Sequence, residues 1–273
     1  GGVTHGIMRT RAFAQDDGHI FCTEDQILEE ALKGIQYTYK VYSAFGFDHV
    51  DVKLATRPEQ FLGSPELWDK AEKALADSLK AAGKSFEVLP NEGAFYGPKI
   101  EFHIKDAIGR SWQCGTIQLD FNLPKRFELE YTDNQNQAKT PVVIHRAILG
   151  SVERFMGILI EHHAGHLPIW IAPVQAVLIN VTDNQLEYAQ SVLQTLKSWG
   201  IRCELDSRNE KLGYRIREAQ MKKIPLMLVL GEKEKTAQTL SVRKTNGETT
   251  NDLTLDGFRA FLEPWLKPGG TNH

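Results

Sequence analysis

Alternation is clearest near the start of the chain, in "RTRAFAQDDGHI". Successive side chains of a strand point to opposite faces. A period of two therefore puts Arg9, Arg11, Phe13, Gln15, Asp17 and His19 on one face, and Thr10, Ala12, Ala14, Asp16, Gly18 and Ile20 on the other. An opening strand is predicted, with one polar face and one small-residue face. Helical spacing follows in "CTEDQILEEALKGIQYTYKVYSAFG", where Thr23 and Gln26 have the separation of a capping box and Gly46 supplies the stop. "HVDVKLATRP" alternates again. "SPELWDKAEKALADSLKAAG" reads as a helix capped by Ser64, with Pro65 in its first position and Gly83 beyond its end. Strands are predicted at Phe86–Leu89, Lys99–Lys105, Arg110–Asp120 and Phe127–Thr132, before "VVIHRAILGSVERFMGILIEHHAG" passes from an apolar strand into a buried helix.

Two prolines in "GHLPIWIAPVQ" interrupt the pattern and mark a boundary. Beyond it, strand Val174–Val181, helix Asn184–Trp199, strand Ile201–Leu205, helix Gly213–Lys222 and strand Leu226–Leu230 alternate as in a small α/β unit with some parallel sheet. A hairpin-like pair around Thr239–Lys244 and a helix at Leu255–Leu266 close it. The expected domains are 1–166 and 167–273.

Composition adds three points to this picture. A chain of 273 residues, 41% hydrophobic and 25% charged, suits a globular protein with no membrane span and no signal peptide. Three widely separated cysteines form no disulfide framework, which suits a reducing cytoplasm. The net charge of −3 conceals an asymmetry: residues 1–166 carry −5 and residues 167–273 carry +2. Ser207–Lys244 alone carries +6, enough to follow a phosphate backbone, although a solvated face has the same composition.

Candidate chemistry concentrates in four stretches. The opening strand offers donors, acceptors and a metal ligand. "NEGAFYGPKIEF" delivers Tyr96 and Lys99 from a glycine-punctuated loop. In "WQCGTIQLDF", Gln113, Cys114, Gln118 and Asp120 sit in an apolar context; Gln113 and Gln118 differ in parity and share a pocket only if the strand bulges near Gly115. "IHRAILGSVERF" adds His145 and Arg154, whose apolar neighbours require the guanidinium to be paired or to bind an anion. His19 and His145 could share a metal, which spacing alone leaves open. No nucleophile elbow and no Walker-type loop is present, so a covalent mechanism has no support.

"MRTRAFAQDDGHIF", "EGAFYGPKIEF", "QCGTIQLDF" and "VIHRAILGSVERF" closely resemble successive blocks of the threonyl-tRNA synthetase family of class II aminoacyl-tRNA synthetases. The likeness continues through "PVQAVLINVTDNQ", "IRCELDSRNEKLGYRIREAQ" and "IPLMLVLGEKE". It implies an α/β fold class: an α+β catalytic domain on a mostly antiparallel sheet, truncated at its N-terminus, then a small α/β anticodon-binding domain with a mixed sheet. By this resemblance, Arg9 and Arg154 hold the ATP phosphates and are catalytic, Lys99 and Gln113 line the adenylate site, and Gln15, Asp17, Tyr96 and Gln118 surround threonine. His19 and His145 match two zinc ligands, and Asn209, Glu234 and Arg243 match anticodon readers. Lys222 and Lys223 are expected on phosphate. The implied cofactors are Zn²⁺ and the Mg²⁺ that accompanies ATP; the implied partners are ATP, threonine, tRNA(Thr) and a second copy in a homodimer. Motif 1, the first arm of motif 2 and the cysteine that completes the zinc site have no counterpart here. The chain is therefore expected to be part of a longer ligase and inactive by itself. Two alternatives stay open: a non-catalytic RNA-binding relative, and an α/β nucleotide-binding protein without tRNA.

Overall fold

The computed structural model describes residues 4–270, and the chain divides into two compact units, residues 1–162 and 163–273. In the first unit the elements are β1 (Gly18–Cys22), α1 (Ile27–Ala44), β2 (Asp51–Ala55), α2 (Pro65–Ala81), β3 (Glu87–Leu89), β4 (Lys99–Lys105), β5 (Ser111–Asp120), α3 (Leu123–Arg126), β6 (Tyr131–Thr132), β7 (Ala138–Lys139), β8 (Val142–Ala147) and α4 (Val152–His162). Six of the strands form one sheet in the order β1-β8-β5-β4-β2-β3, antiparallel except for the β2–β3 pair. The expected caps are in place, Thr23 opening a 3₁₀ turn at Glu24–Gln26 that leads into α1 and Ser64 opening α2. The Thr23 N–H donates to Gln26 Oε1 at 2.9 Å, and Ser64 Oγ accepts from the Leu67 N–H at 3.2 Å.

Helices cover one face of this sheet. Ile100, Phe102, Ile104, Ile117, Leu119 and Ile144 project toward that side and are fully buried, with Tyr42 of α1 and Trp68 of α2 among the largest core side chains. α1 comes close enough for a Cβ on Gly34 to meet Ile117 Cδ1 at 2.9 Å. The alternate residues of the same strands face the other way and are mostly polar, among them Lys99, Glu101, His103, Thr116, Gln118 and His145. The site is built on that second face.

The structure corrects three sequence-based expectations here. The opening strand does not run from Arg9; its ladder with β8 begins only at Gly18, and before it Gln15 makes an isolated bridge to Ser151. The cause is Asp16, whose carboxylate accepts from the N–H groups of Ile148, Leu149 and Gly150 at 2.9–3.1 Å. Just before it, the Ala14 N–H donates to Glu153 at 3.0 Å. These contacts replace the continuous ladder and draw residues 14–16 onto the turn before α4 and its first residues. The predicted strand Phe127–Thr132 is reduced to Tyr131–Thr132. Asp120 Oδ1 accepts from the Asn122 and Leu123 N–H groups and turns the chain into α3, and Glu128 then takes a φ of 52°. The last helix ends at Leu262 rather than Leu266, giving way to a 3₁₀ turn at Glu263–Trp265 that contains Pro264.

In the second unit, β9 (Ala176–Asn180), α5 (Leu186–Ser198), β10 (Cys203–Asp206), α6 (Leu212–Met221), β11 (Leu226–Leu230), α7 (Glu232–Ala237), β12 (Leu240–Lys244), β13 (Thr249–Leu253) and α8 (Leu255–Leu262) follow in order. The sheet is β10-β9-β11-β12-β13; the first three strands are parallel and the last two antiparallel, so it is mixed as expected. Its core contains Leu178, Val192, Leu196, Leu228, Leu230 and Phe258.

Candidate functional site

On the open face of the first sheet lies a cavity of about 540 Å³, lined by Gln15, Asp17, Tyr96, Lys99, Gln113, Thr116, Gln118, Asp120 and His145, with Phe95, Asn122, Leu123 and Ala147 at its margin. The strands account for most of this set. Lys99 pairs with Gln118, and Gln118 with His145, across three neighbouring strands, so these side chains form a row. Gln113 joins the row because β5 bulges. Phe102 pairs with Gly115 but His103 pairs with Gln113, which leaves Cys114 as the extra residue and restores Gln113 to the cavity side. A Cβ on Gly115 would lie 2.8 Å from Tyr42 Oη.

The loop before β4 lies flat against β5. The Phe121 N–H donates to Tyr96 O and the Leu119 N–H to Pro98 O, each at 3.0 Å. Gly97 permits this approach, since a Cβ there would sit 1.8 Å from Leu119 O. The result is a Tyr96 hydroxyl that donates to Gln118 Oε1 at 3.2 Å. Beside it, Gln113 Nε2 donates to Thr116 Oγ1 at 3.0 Å.

At the β1–β8 edge, His19 and His145 are direct cross-strand partners, with ring centroids 4.8 Å apart. Asp17 Oδ2 is 3.8 Å from His19 Nε2. One ligand atom from each of Asp17, His19 and His145 falls within 4.8 Å of the others, a spacing at which a single cation can meet all three. His145 Nε2 is bonded at 2.8 Å to Asp120 Oδ2, a carboxylate only 2% exposed, which leaves Nδ1 as the free ring nitrogen. A carboxylate behind a histidine is the usual support of a metal-binding imidazole.

The two arginines stand apart from this lining. Arg9 is exposed and outside it. Arg154 Nε donates to Met8 O and Nη1 to Gln113 O, both at 3.0 Å, and its guanidinium stacks 5.3 Å from the Trp112 ring. Its charge therefore meets two carbonyls. Cys22 and Cys114 are buried free thiols, which burial pushes up to about 11 and about 12. Thr116 was missed from the sequence, although it shares Gln118's parity and was legible from it. Asp120, one of the polar residues that stand out in "WQCGTIQLDF", has the same parity, but its role as the partner of His145 had no signal in the sequence.

In the second unit, Asn209 lies in the exposed loop after β10. Glu234 is in the first turn of α7 and accepts from the Gly231 N–H at 2.9 Å, so it caps the helix and is not simply a solvated loop charge. Both follow the carboxyl ends of parallel strands. Arg243 is opposite Met227, near the other end of β11, and its Nε is buried without a hydrogen-bond partner. Among the described residues, no helix is long and apolar enough to cross a membrane.

Residues 2–163 match the family described as tRNA synthetase class II core domain (G, H, P, S and T), and residues 175–265 match the anticodon binding domain family. The chain is 55% identical over 266 residues to the threonine–tRNA ligase of Burkholderia multivorans, covering 97% of this chain and 42% of that protein. It is also 55% identical over 262 residues to the threonine–tRNA ligase of Burkholderia mallei, covering 96% and 41%. The chain thus spans about two fifths of the length of these relatives. Its fold is similar to the RNA binding domain of threonyl-tRNA synthetase from Cryptosporidium parvum Iowa II, with a TM-score of 0.89, 41% identity, and coverage of 96% of this chain and 66% of that one.

Proposed function

Because the chain belongs to the class II tRNA synthetase core family, we propose that it carries the threonine-activating and tRNA-reading parts of a threonine–tRNA ligase. Residues 1–166 are the catalytic part and residues 167–273 the anticodon-reading part. Supporting this reading above all is the convergence of Asp17, His19 and His145 at a cavity whose floor is Tyr96, Lys99, Gln113 and Gln118.

The donor set fits zinc: two imidazoles, one of them backed by a buried carboxylate, and a carboxylate in reach of both. His19 and His145 would hold the ion. When bound, zinc supplies a Lewis acid for the amino and hydroxyl groups of threonine, and valine has no hydroxyl to offer it. Asp17 accepts or orients the threonine hydroxyl proton, with Gln15, Tyr96 and Gln118 around the same substrate.

The threonine carboxylate attacks the α-phosphate of ATP; threonyl-adenylate forms and pyrophosphate leaves. A carboxylate is already a nucleophile, so no protein base is needed, and the work is positioning and charge neutralisation. Lys99 and Gln113 hold the adenylate from the cavity wall. Arg9 and Arg154 meet the phosphates, together with the Mg²⁺ that accompanies ATP. A terminal ribose hydroxyl of tRNA(Thr) then attacks the activated carbonyl and AMP leaves. In the second unit, Asn209, Glu234 and Arg243 read anticodon bases, since arginine and asparagine forks suit base edges and a glutamate accepts from a base amino or imino group. The holoenzyme is a cytoplasmic homodimer.

Calorimetry in the presence of zinc tests this reading. Threonine is expected to bind at least about a hundredfold more tightly than valine. His145→Ala is expected to abolish that preference. Equal affinities for the two amino acids would refute it.

A further inference from the structure

β4 places Lys99, Glu101 and His103 at alternate positions, so all three project from the open face. Only Lys99 reaches the cavity. Glu101 lies behind it, 7% exposed, with Oε1 at 2.7 Å from Lys99 Nζ and Oε2 at 2.8 Å from His103 Nε2. His103 is in turn within 3.4 Å of Ser111 Oγ through Nδ1. Both carboxylate oxygens are thus committed, one to the cavity lysine and one to an anchored imidazole. Burial pushes the Glu101 carboxyl up, but the hydrogen bonds from His103 and Lys99 outweigh it and bring it down to about 2. The group is a permanent anion under the floor of the site.

A lysine side chain on a strand is flexible, and a solvated ammonium must be reorganised before it can meet a substrate anion. We propose that Glu101 is the positioning residue of Lys99, holding its ammonium at one place on the cavity wall while His103 and Ser111 hold Glu101. The consequence for ATP rests on the function proposed above; the coupling between the two side chains does not. The competing account makes Lys99 only the counter-ion that lets Glu101 be buried.

Two readouts separate these possibilities. Trace acetylation with acetic anhydride, followed by mass spectrometry, reports how firmly the Lys99 amine is withheld. Glu101→Gln is expected to speed Lys99 labelling several-fold relative to the other lysines. Glu101→Asp keeps the charge but shortens the arm; it is expected to speed labelling too, and it carries the test if Glu101→Gln does not fold. An unchanged Lys99 rate in a folded variant overturns the proposal. ATP binding by calorimetry then addresses the consequence. Lys99→Ala and Glu101→Gln are expected to weaken ATP to a similar degree, with the double variant no weaker than Lys99→Ala. Additive losses would mean that Glu101 acts apart from Lys99, and would also overturn it. Faster labelling with ATP affinity unchanged in all three variants would leave the positioning intact and count against the cavity as an ATP site.

Discussion

At the scale of single residues, the cavity depends on buried carboxylates that each hold a more exposed partner. Asp120 does this for His145, and Asp120→Asn is expected to weaken zinc binding by about 10–100-fold, read by competition with a chromophoric chelator. Glu101 does so for Lys99; Asp106, which does not line the cavity, holds Arg110 and Trp112 in the same way. At Asp106 burial acts upward, but hydrogen bonds from Trp112 and Arg110 win and bring the carboxyl down to about 2. Both groups have a native value below their ordinary one. Their contribution to stability is therefore complete above about pH 4.5 and is lost as the pH falls toward about 2. Urea midpoints measured across that interval are expected to decline less steeply in Glu101→Gln and Asp106→Asn than in the parent. The side chains at the cavity surface were largely legible in the sequence, because period-2 parity selects them. Their buried supports were not, since an aspartate or glutamate that will be enclosed reads the same as one that will be solvated until cross-strand register is known.

At the scale of elements, the sequence misled most where side chains displaced backbone pairing. "RTRAFAQDDGHI" alternates well enough for a strand, yet only its last residues join the ladder with β8. Asp16, assigned by parity to the plain face, is the residue that ties this segment to the turn before α4. Removing that carboxylate strands up to three N–H groups. Asp16→Ala is expected to cost about 2–3 kcal/mol in denaturant unfolding, whereas Asp16→Asn keeps acceptor capacity and is expected to cost less. The bulge in β5 was legible, because Gln113 and Gln118 could share a pocket in no other way and Gly115 lay between them. Gly97 is a second point of forced approach. Gly97→Ala must push the loop off β5; it is expected to destabilise the unit by about 1–3 kcal/mol and to weaken threonine binding as Tyr96 moves from Gln118. Stability without any loss of binding would show that the loop does not deliver Tyr96 to the substrate.

At the scale of the whole molecule, charge separates the two units. The first is acidic and carries the cavity; the second contains the +6 segment and the mixed sheet. Alternating helix and strand patterns made the second unit's architecture readable, apart from α7, which is too short for periodicity to reveal. Its proposed partner is a polyanion, so binding of tRNA(Thr) is expected to weaken linearly with the logarithm of salt concentration. Changing Lys222 and Lys223 together to Gln is expected to lower that slope by about 2 without altering preference among tRNAs. Arg243→Ala is expected to cost about 1–3 kcal/mol and to relax preference for the threonine anticodon. Salt-insensitive binding, or an Arg243→Ala variant indistinguishable from the parent, would favour a nucleotide-binding protein without tRNA.

Everything at the larger scales depends on one junction, where Asp17, His19 and His145 meet. X-ray absorption at the zinc edge, recorded on the zinc-loaded chain with and without amino acids, interrogates that junction directly. The expected spectrum contains scattering from two imidazole rings, its first coordination shell changes when threonine is added, and valine leaves it as it was. Zinc without imidazole scattering, or the same response to threonine and valine, would contradict the proposed site.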